Sequence, residues 1–348
     1  MKTKESILPF FVPHYGCPYA CVFCNQMHIT GSREPVSPEA VLRTAEQAQQ
    51  VLHPDRKRQL AFYGGSFTAI PITEQTALLE AGARCVQNGW IDTIRISTRP
   101  DAVTDKTLEH LSRYPVETIE LGAQSMDDDV LALAGRGHTA ASVRTAAALV
   151  REHGFRLILQ MMTGLPGDTE EKAVSTAEEL IGLKPDGVRI YPTVIIHDTA
   201  LYRLWKSGAY SEHTVEDAVS VCARLLPLFE KAGIPVIRLG LNPTEELSSG
   251  EAAGGAYHPA LGELVRSRVL RNCAEELLKA GDPSGKTVIL TVPSGLCSQM
   301  TGQHRTNLDY LKQKYSLADV RVEESDIIIE GKLSCTIQET IQETIICT

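Results

Sequence analysis

The chain has 348 residues, 43% of them hydrophobic, which suits one large α/β domain with an appendage or two domains. Its formal net charge of −9, without a basic tail, does not imply strong nonspecific attraction to nucleic acid but is compatible with a local basic face. No stretch approaches the roughly 18 apolar residues of a membrane span and the N-terminus lacks the pattern of a signal peptide, so we expect a cytoplasmic protein outside the membrane.

Apolar, β-rich runs alternate with amphipathic helical patterns over most of the chain. The predicted strands are 7–12, 60–63, 93–97, 118–121, 156–161, 188–191 and 235–241, and the predicted helices are 38–52, 74–87, 105–114, 140–153, 170–183 and 215–232. Three of the helices follow an N-cap residue, at Ser37, Thr104 and Thr169, and two end before a glycine, at Gly154 and Gly233. This alternation predicts an α/β fold, an incomplete parallel (β/α) barrel of about six units.

The pattern changes after residue 245, so we predict a partial barrel over 1–245 and a linker helix with a small α+β domain over 246–348. The polar, Gly- and Ala-rich segment 245–257 is typical of a loop. The elements predicted beyond it are a long helix at 259–280, a strand at 287–292, a helical stretch at 296–315 and strands at 320–323 and 327–330. The repetitive segment 337–345 is expected to be a frayed tail.

Unusual sequence motifs follow the ends of the predicted barrel strands. They are the cysteines after the first strand, Gly64-Gly-Ser-Phe67, Thr98-Arg-Pro-Asp101, Gln124-Ser125, Gly164-Leu-Pro-Gly167 and Pro192-Thr193. Parallel β/α architectures place their chemistry at the carboxyl ends of the strands. We therefore expect all of these motifs to meet at one rim of the barrel.

Cys17, Cys21 and Cys24 form the most informative motif, a C-x3-C-x2-C triad on one loop. Structural iron–sulfur clusters usually take four protein ligands, so three cysteines indicate a [4Fe–4S] cluster with one iron open to a small molecule. A zinc site completed by His14 or His28 is an alternative. A disulfide is disfavoured because it would leave one thiol over in a chain that shows no export signal.

The remaining six cysteines are scattered singly, at Cys85, Cys222, Cys273, Cys297, Cys335 and Cys347. Cys85, Cys222 and Cys273 fall within helical patterns, which favours buried packing thiols. A second cluster would need another grouped motif, and the sequence contains none.

The triad, the Gly64-Gly65 turn and Gly164-Leu-Pro-Gly167 together resemble the radical S-adenosylmethionine (SAM) superfamily over roughly residues 8–245. Further motifs are similar to the radical-SAM domain of the Elongator catalytic subunit family: Phe62-Tyr-Gly-Gly-Ser-Phe67, Thr98-Arg-Pro-Asp101, Ile190-Tyr-Pro-Thr193 and Thr199-Ala-Leu-Tyr-Arg-Leu-Trp205. Leu121-Gly-Ala-Gln-Ser125 and Gly135-Arg-Gly-His138 are similar both to that family and to oxygen-independent coproporphyrinogen oxidases.

The resemblance implies two cofactors, a [4Fe–4S] cluster on the three cysteines and SAM on the open iron. It places the methionine part of SAM against the backbone of Gly64 and Gly65 and the adenine beside Phe23, which as a bare sequence feature could equally be a core residue. Ser97, Gln124 and Gln160 match positions that contact the ribose of SAM. Gln124 and Arg136 match positions that hold the ribose and the carboxylate of SAM. Arg99, Arg136 and His138 could instead be surface or supporting residues.

The mechanism that the resemblance implies is reductive cleavage of SAM followed by abstraction of a hydrogen atom from the substrate. An external one-electron donor of the flavodoxin or ferredoxin type would supply the electron, and no catalytic residue beyond the cluster is identified. The family points to an RNA substrate and to tRNA modification. The alternatives are a radical SAM enzyme acting on a small metabolite or peptide, and a non-catalytic iron–sulfur protein that binds RNA.

Departures from the relatives narrow these expectations. The Elongator subunit has a longer gap between its first two cysteines, and its acetyltransferase domain is not expected here. Coproporphyrinogen oxidases carry a further cysteine after the triad, where this chain has Asn25 and Gln26, which argues against that activity. In the C-terminal part, the segment 294–307 faintly resembles a KH-type RNA loop, with Gly302 near a phosphate and His304, Arg305 and Asn307 as donors. The alternative for this part is a small lid or dimer-contact domain.

Overall fold

The structure is a computed structural model that describes residues 5–12, 21–24, 36–53, 55–241, 250–326, 332–337 and 340–345. Its main sheet has seven parallel strands in the order β1-β2-β3-β4-β5-β6-β8. The expected α/β fold, an incomplete parallel barrel followed by a small α+β unit, is confirmed.

The barrel part alternates strands and helices along the chain, as the pattern predicted. In order these elements are β1 Glu5–Val12, α1 Pro38–Ala48, β2 Lys57–Gly64, α2 Ile72–Gln87, β3 Thr93–Thr98, α3 Asp105–Leu111, β4 Val116–Gln124, α4 Asp128–Leu133, α5 Ala140–Glu152, β5 Arg156–Thr163, α6 Glu170–Gly182, β6 Gly187–Pro192, β7 Val194–Ile196, α7 Ala200–Lys206, α8 Val215–Lys231, β8 Val236–Leu239 and β9 Ala252–Gly255. The short elements α4, β7, α7 and β9 were not predicted.

Helix boundaries follow the capping residues in the sequence. The side chains of Ser37, Thr104 and Thr169 each accept a backbone hydrogen bond from the first turn of α1, α3 and α6. Gly154 and Gly233, each one residue beyond the C-cap of α5 and α8, adopt left-handed φ angles of 79° and 72°. These five sequence predictions are confirmed.

Alternate strand residues face opposite sides of the sheet. Leu60 and Phe62 of β2 and Ile94 of β3 are fully buried in the core between the sheet and its helices. Arg95, next to Ile94, is also fully buried but contacts charged groups of other strands across the barrel lumen. The sheet therefore has an apolar outer face and a polar inner face.

The C-terminal unit has its own sheet, in the order β11-β10-β12-β13. Its elements are α9 Leu261–Ala280, β10 Thr287–Val292, α10 Cys297–Thr301, α11 Thr306–Lys314, β11 Asp319–Glu324, β12 Lys332–Ile337 and β13 Thr340–Ile345. Helix α9 joins the two units, because Val265 packs in the barrel core while Leu278 packs in the C-terminal core. The division of the chain at residue 245 stays a prediction.

Two expectations for the C-terminal third were wrong, and the predicted helical stretch is confirmed with an interruption. The expected loop at 245–257 contains β9, which pairs antiparallel with β7 because its Ala and Gly residues admit a close neighbour. The expected frayed tail at 337–345 contains β13, whose alternating sequence pairs with β12. The expected helix at 296–315 is broken after α10, where Gly302 has φ +78° and an added Cβ would lie 2.8 Å from Thr306 Oγ1.

The expected strand at 327–330 lies outside the described residues. None of the helices in the described ranges is long and apolar enough to cross a membrane.

Candidate functional site

The cysteine loop is held at the carboxyl rim of the barrel by two backbone hydrogen bonds. Val22 donates to the carbonyl of Ala134, at the end of α4, and accepts from the amide of Leu201, in α7. Both contacts belong to segments that follow the carboxyl ends of β4 and β6. The Cys24 amide donates to the Cys21 carbonyl over 3.1 Å, so these two half-buried cysteines share one tight turn. Cys17, His14 and His28 lie outside the described residues.

Phe23 lies between the two described cysteines and packs into the protein. It contacts a cluster that includes Leu165 after β5, and a second cluster that includes Ile195 and Leu201. The half-buried ring is therefore part of the local core, as the sequence allowed, and it keeps an exposed portion beside the cysteine loop. The predicted role beside an adenine stays a prediction.

The two glycines after β2 close against the end of β1. Gly64 has φ +103°, and a Cβ there would come within 3.0 Å of the Val12 carbonyl oxygen. The Gly65 amide donates to the same oxygen over 2.8 Å. Glycine at position 64 is thus required by the fold of the turn, and the same absence of a side chain leaves backbone accessible at the rim.

Gln124, the last residue of β4, has a strained backbone. Its φ of +68° is in the left-handed region, it is 4% exposed, and the strand pairing slips between Gly122 and Gln124. Gln160 Nε2 on β5 donates to Gln124 Oε1 over 3.2 Å. The bulge turns the Gln124 side chain towards Gly122, where a Cβ would lie 2.9 Å from Gln124 Nε2. Strain of this kind concentrates at ligand-binding sites.

Arg136 connects this strand end to the cysteine loop. Its side chain is buried, with Nη1 donating to Cys21 Sγ over 3.3 Å and Nη2 donating to the Gly122 carbonyl over 2.8 Å. Its Nε is buried without a hydrogen-bond partner among the described residues. A guanidinium so placed can receive an anionic group at the cysteine loop.

Arg99 and His138 support the segment that carries Arg136. Arg99 Nε pairs with Asp101 Oδ1 over 3.0 Å, and its Nη2 donates to the carbonyl of Arg136. Burial, together with the charge of Arg136, lowers the pKa of His138 to about 4. His138 is therefore neutral at pH 7, and its Nε2 donates to the Ala123 carbonyl over 3.1 Å. Both residues act on the rim through their neighbours.

Ser97 lies on β3, two residues beyond Arg95, so its side chain is on the lumen side of the sheet. It is half-buried and is opposite Glu120 in the strand register. The structure thus brings the described members of the predicted SAM site to the upper lumen and rim: Phe23, Gly64, Gly65, Ser97, Gln124, Arg136 and Gln160.

An ionic network below the rim was missed by the sequence predictions. Glu120 Oε1 accepts from Arg95 Nη1 over 2.7 Å, and Glu120 Oε2 accepts from Arg189 Nε over 2.9 Å. Burial alone would raise the pKa of Glu120, but the two guanidinium groups hold it below its usual value. Tyr63 donates to Glu120 over 2.9 Å. Single charges inside otherwise apolar strands were the available signal.

The segment Gly164-Leu-Pro-Gly167 after β5 is anchored by polar contacts. The Tyr210 hydroxyl donates to the Gly164 carbonyl over 2.6 Å, and the Gly164 amide donates to Asp168 Oδ2 over 2.8 Å. Burial raises the pKa of Asp168 to about 6. A cavity of about 250 Å³ next to Gly164 is lined by Asp168 and His213.

The expected packing role of the isolated cysteines holds for two of the three in helices. Cys85 and Cys222 are fully buried, and burial raises the pKa of Cys85 to about 11 and that of Cys222 to about 12. Cys273 is half-buried against both cores, which is a smaller degree of burial than expected. The thiols of Cys85 and Cys222 remain protonated at pH 7.

A parallel half-barrel with cysteines, glycine backbone and buried polar donors on its carboxyl rim defines a class of enzyme that holds a cofactor at this rim. Two family models match the chain: the Radical SAM superfamily over residues 11–180 and the Radical_SAM C-terminal domain over residues 185–271. The chain belongs to the radical SAM superfamily. It is therefore an enzyme whose cofactors are a [4Fe–4S] cluster and SAM.

Several relatives share the radical SAM region. A tRNA uridine(34) acetyltransferase of Dehalococcoides mccartyi is 28% identical over 283 residues, covering 67% of this chain and 60% of the relative. Elongator complex protein 3 of Bos taurus is 30% identical over 244 residues, covering 64% of this chain and 44% of the relative. The chain thus spans about half the length of these relatives.

The archaeal Methanocaldococcus infernus Elp3, with an N-terminal deletion, matches with a TM-score of 0.59 at 22% identity, covering 80% of this chain and 64% of that one. At this identity the match shows a shared fold.

The described residues fit the two cofactors. Cys21 and Cys24 present half-buried thiols in one turn, which suits two cluster ligands. The buried Arg136 Nε has no partner in the described part of the chain and lies on a side chain that contacts Cys21. Such an unsatisfied donor is expected where a bound group completes the hydrogen bonding.

Proposed function

We propose that this radical SAM enzyme modifies a tRNA by abstracting a hydrogen atom from one of its nucleotides. The observation that carries the proposal is the similarity over two thirds of the chain to a relative named tRNA uridine(34) acetyltransferase. Because the matched region is 60% of that relative, the proposal covers the radical step and leaves acetyl transfer aside.

The cluster would be held by Cys17, Cys21 and Cys24, which leaves one iron open to SAM. When bound, the cluster and SAM supply the one-electron chemistry and the hydrogen-atom abstraction that amino-acid side chains do not provide. An external donor of the flavodoxin or ferredoxin type would supply the electron.

The residues of the rim would bind and orient SAM. The backbone of Gly64 and Gly65 would receive the methionine part, and Arg136 would receive its carboxylate through a charge-assisted hydrogen bond. The Gln124 side chain, which already accepts a hydrogen bond from Gln160, would accept a hydrogen bond from the ribose or donate one to it. The strained φ of Gln124 supports this assignment, because the fold retains an unfavourable conformation that directs the amide to the rim.

Ser97 would complete the ribose contacts from β3, and Phe23 would contribute the exposed part of its ring to the adenine. The Arg95–Glu120–Arg189 network lies in the lumen below these groups and would limit the access of solvent from the cavity at the opposite end. Excluding water protects a reactive radical from side reactions.

The test uses the reduced, reconstituted holoenzyme with SAM and substrate pools prepared from cells grown in deuterated medium. We expect deuterium to enter 5′-deoxyadenosine when the pool is tRNA, and not when it is a small-metabolite or peptide fraction. SAM cleavage without deuterium transfer from tRNA, together with transfer from either of the other pools, would reject the RNA substrate while leaving the radical chemistry in place.

A further inference from the structure

Helix α7 and His197, which follows β7, carry a cluster of aromatic and basic side chains, here called the aromatic–basic face: His197, Tyr202, Arg203, Trp205 and Lys206. The rings are contiguous, with centroids 5.0 Å apart for His197 and Tyr202 and 6.1 Å apart for Tyr202 and Trp205. Lys206 Nζ lies 4.3 Å from the centroid of Trp205. The spacing of Tyr202 and Trp205 places them on one side of the helix.

This face adjoins the cysteine loop. The Leu201 amide, at the start of α7, donates to the Val22 carbonyl over 2.7 Å, one residue from Cys21. Tyr202 and Trp205 pack against the same buried cluster as Val22 and Phe23. A molecule bound on the face would therefore lie next to the rim where SAM is expected.

The cations of the face are available to an anionic ligand. Arg203 and Lys206 are exposed, and neither forms an ion pair with a carboxylate in the part of the chain that the structure describes. Arg203 Nη1 contacts the backbone carbonyl of Asp198 over 3.3 Å, which leaves its charge uncompensated. Because the whole chain carries a net charge of −9, a polyanion needs such a local cationic surface in order to bind.

The chemistry of this face suits unpaired nucleotides. Bases stack on accessible aromatic rings, here the exposed His197 and the half-buried Tyr202 and Trp205, whereas neighbouring phosphates pair with Lys and Arg, and both contacts tolerate different sequences. A base inside a duplex does not offer its ring face, so the ligand must be single-stranded at this point. Lys206 covers the indole in the free protein, and its flexible stem allows it to move to a phosphate when a base takes its place.

We propose that the aromatic–basic face of α7 binds unpaired nucleotides of the RNA substrate and brings the reacting nucleotide to the cysteine loop. The inference rests on the proposed function. It adds the protein surface on which the RNA binds and the requirement that the RNA is single-stranded at that point.

The chain contains two tryptophans, Trp90 and Trp205, which allow a direct optical test. Trp90 precedes β3 at the amino end of the barrel and packs against the barrel core. In the holoenzyme variant Trp90→Phe, we expect oligouridine and tRNA to quench the remaining Trp205 fluorescence, and a fully paired RNA duplex to quench it far less. In the matched variant Trp205→Phe, the fluorescence of Trp90 should not respond.

Charge reversal provides the second measurement. Arg203→Glu with Lys206→Glu should weaken tRNA binding about tenfold and reduce the salt dependence, since each lost single-strand phosphate contact lowers the slope by about 0.7. Lys231→Glu, an exposed cation in the last turn of α8 at the opposite end of the barrel, is the control and should bind tRNA normally.

The outcomes separate this inference from the proposed function. Substrate-independent SAM cleavage should be unchanged in the double reversal. If tRNA binds and exchanges deuterium but neither quenches Trp205 nor responds to the double reversal, the face is not the RNA surface. If a protein partner occupies the face, RNA affinity will likewise be insensitive to these changes, and the inference is overturned. If wild-type enzyme exchanges deuterium only with a peptide or metabolite, the proposed function itself fails.

Discussion

The rim and the lower lumen of the same barrel both contain buried polar side chains, but they differ in charge pairing and in backbone strain. In the lower lumen, Arg95 pairs with both Glu5 and Glu120, over 2.6 and 2.7 Å. At the rim, Gln124 holds a left-handed backbone, and Arg136 contacts Cys21 Sγ but pairs with no carboxylate within the described ranges, although both Arg95 and Arg136 leave their buried Nε without a partner there. The contrast indicates that the lower lumen stabilises the barrel, whereas the rim is arranged for a ligand that completes it.

A large cavity lies at the amino end of the barrel, opposite the rim. It has a volume of about 960 Å³ and is lined by many charged residues. Its charges are largely satisfied, since Lys57 pairs with Glu117 over 2.5 Å and Arg156 pairs with Glu5 over 2.7 Å. At the rim, by contrast, the strained Gln124 backbone lies beside Arg136, which pairs with no carboxylate within the described ranges.

The largest effect should come from removing the three cysteines together. Cys17→Ala, Cys21→Ala and Cys24→Ala in one chain should abolish cluster binding, because no other grouped thiols are available in the sequence. If the rim contributes little to stability, the urea midpoint of this variant should stay close to that of the iron-free wild type. Anaerobic iron and sulfide analysis is the measurement, and retention of about four irons would contradict the assignment.

The second largest effect is expected from removing the shared carboxylate of the lower lumen. Glu120→Ala leaves Arg95 and Arg189 buried without their shared carboxylate, which should cost about 3–5 kcal/mol of the free energy of unfolding. Urea unfolding checks this, with Glu216→Ala as the control, because Glu216 is 74% exposed in its pair with Arg268 and should cost less than about 1 kcal/mol. Equal losses of unfolding free energy in the two variants would show that the lower lumen has no special stabilising role.

Periodicity and caps were sufficient to predict the strands of the main sheet and the long helices between them, since each signal is local to a few residues, but not the four short elements. Strand β13 was missed because its stability depends on pairing with β12, a contact that a single segment does not reveal. The rim motifs were predictable because parallel topology brings strand ends together. The left-handed backbone of Gln124 and the charge pairs of Glu120 could not be predicted from the sequence, because they depend on atoms from distant parts of the chain.

A smaller effect is expected at Arg136. Arg136→Ala should weaken SAM binding to the reconstituted holoenzyme by about ten- to a hundredfold, as expected for the loss of one charge-assisted contact worth about 1.5–3 kcal/mol. Arg136→Lys should recover only part of the affinity, because lysine cannot maintain the contacts to Cys21 and Gly122 together. Arg144→Ala, which removes an exposed arginine from α5, is the control. Wild-type affinity in Arg136→Ala would limit this residue to a structural role.

The smallest effect concerns the strain at Gln124 and gives the sharpest contrast between the two ends of the barrel. Gln124→Gly should be more stable than Gln124→Ala by about 1 kcal/mol, because glycine accepts the φ of +68° without a Cβ penalty, partly offset by its greater entropy when unfolded. Both variants should lose SAM affinity to a similar extent, since both lack the side-chain amide. Urea unfolding and equilibrium binding measure the two quantities separately.

Lys184 provides the matched position, because it is exposed, has φ +52° and precedes β6 at the amino end. Lys184→Gly should exceed Lys184→Ala in stability by a comparable amount, about 1 kcal/mol, while leaving SAM affinity unchanged in both variants. Strain relief would then improve stability at either end but reduce cofactor binding only at the rim. If Gln124→Gly retained full SAM affinity, the strained backbone would serve the fold alone, and the contrast between rim and lower lumen would rest on Arg136 without support from Gln124.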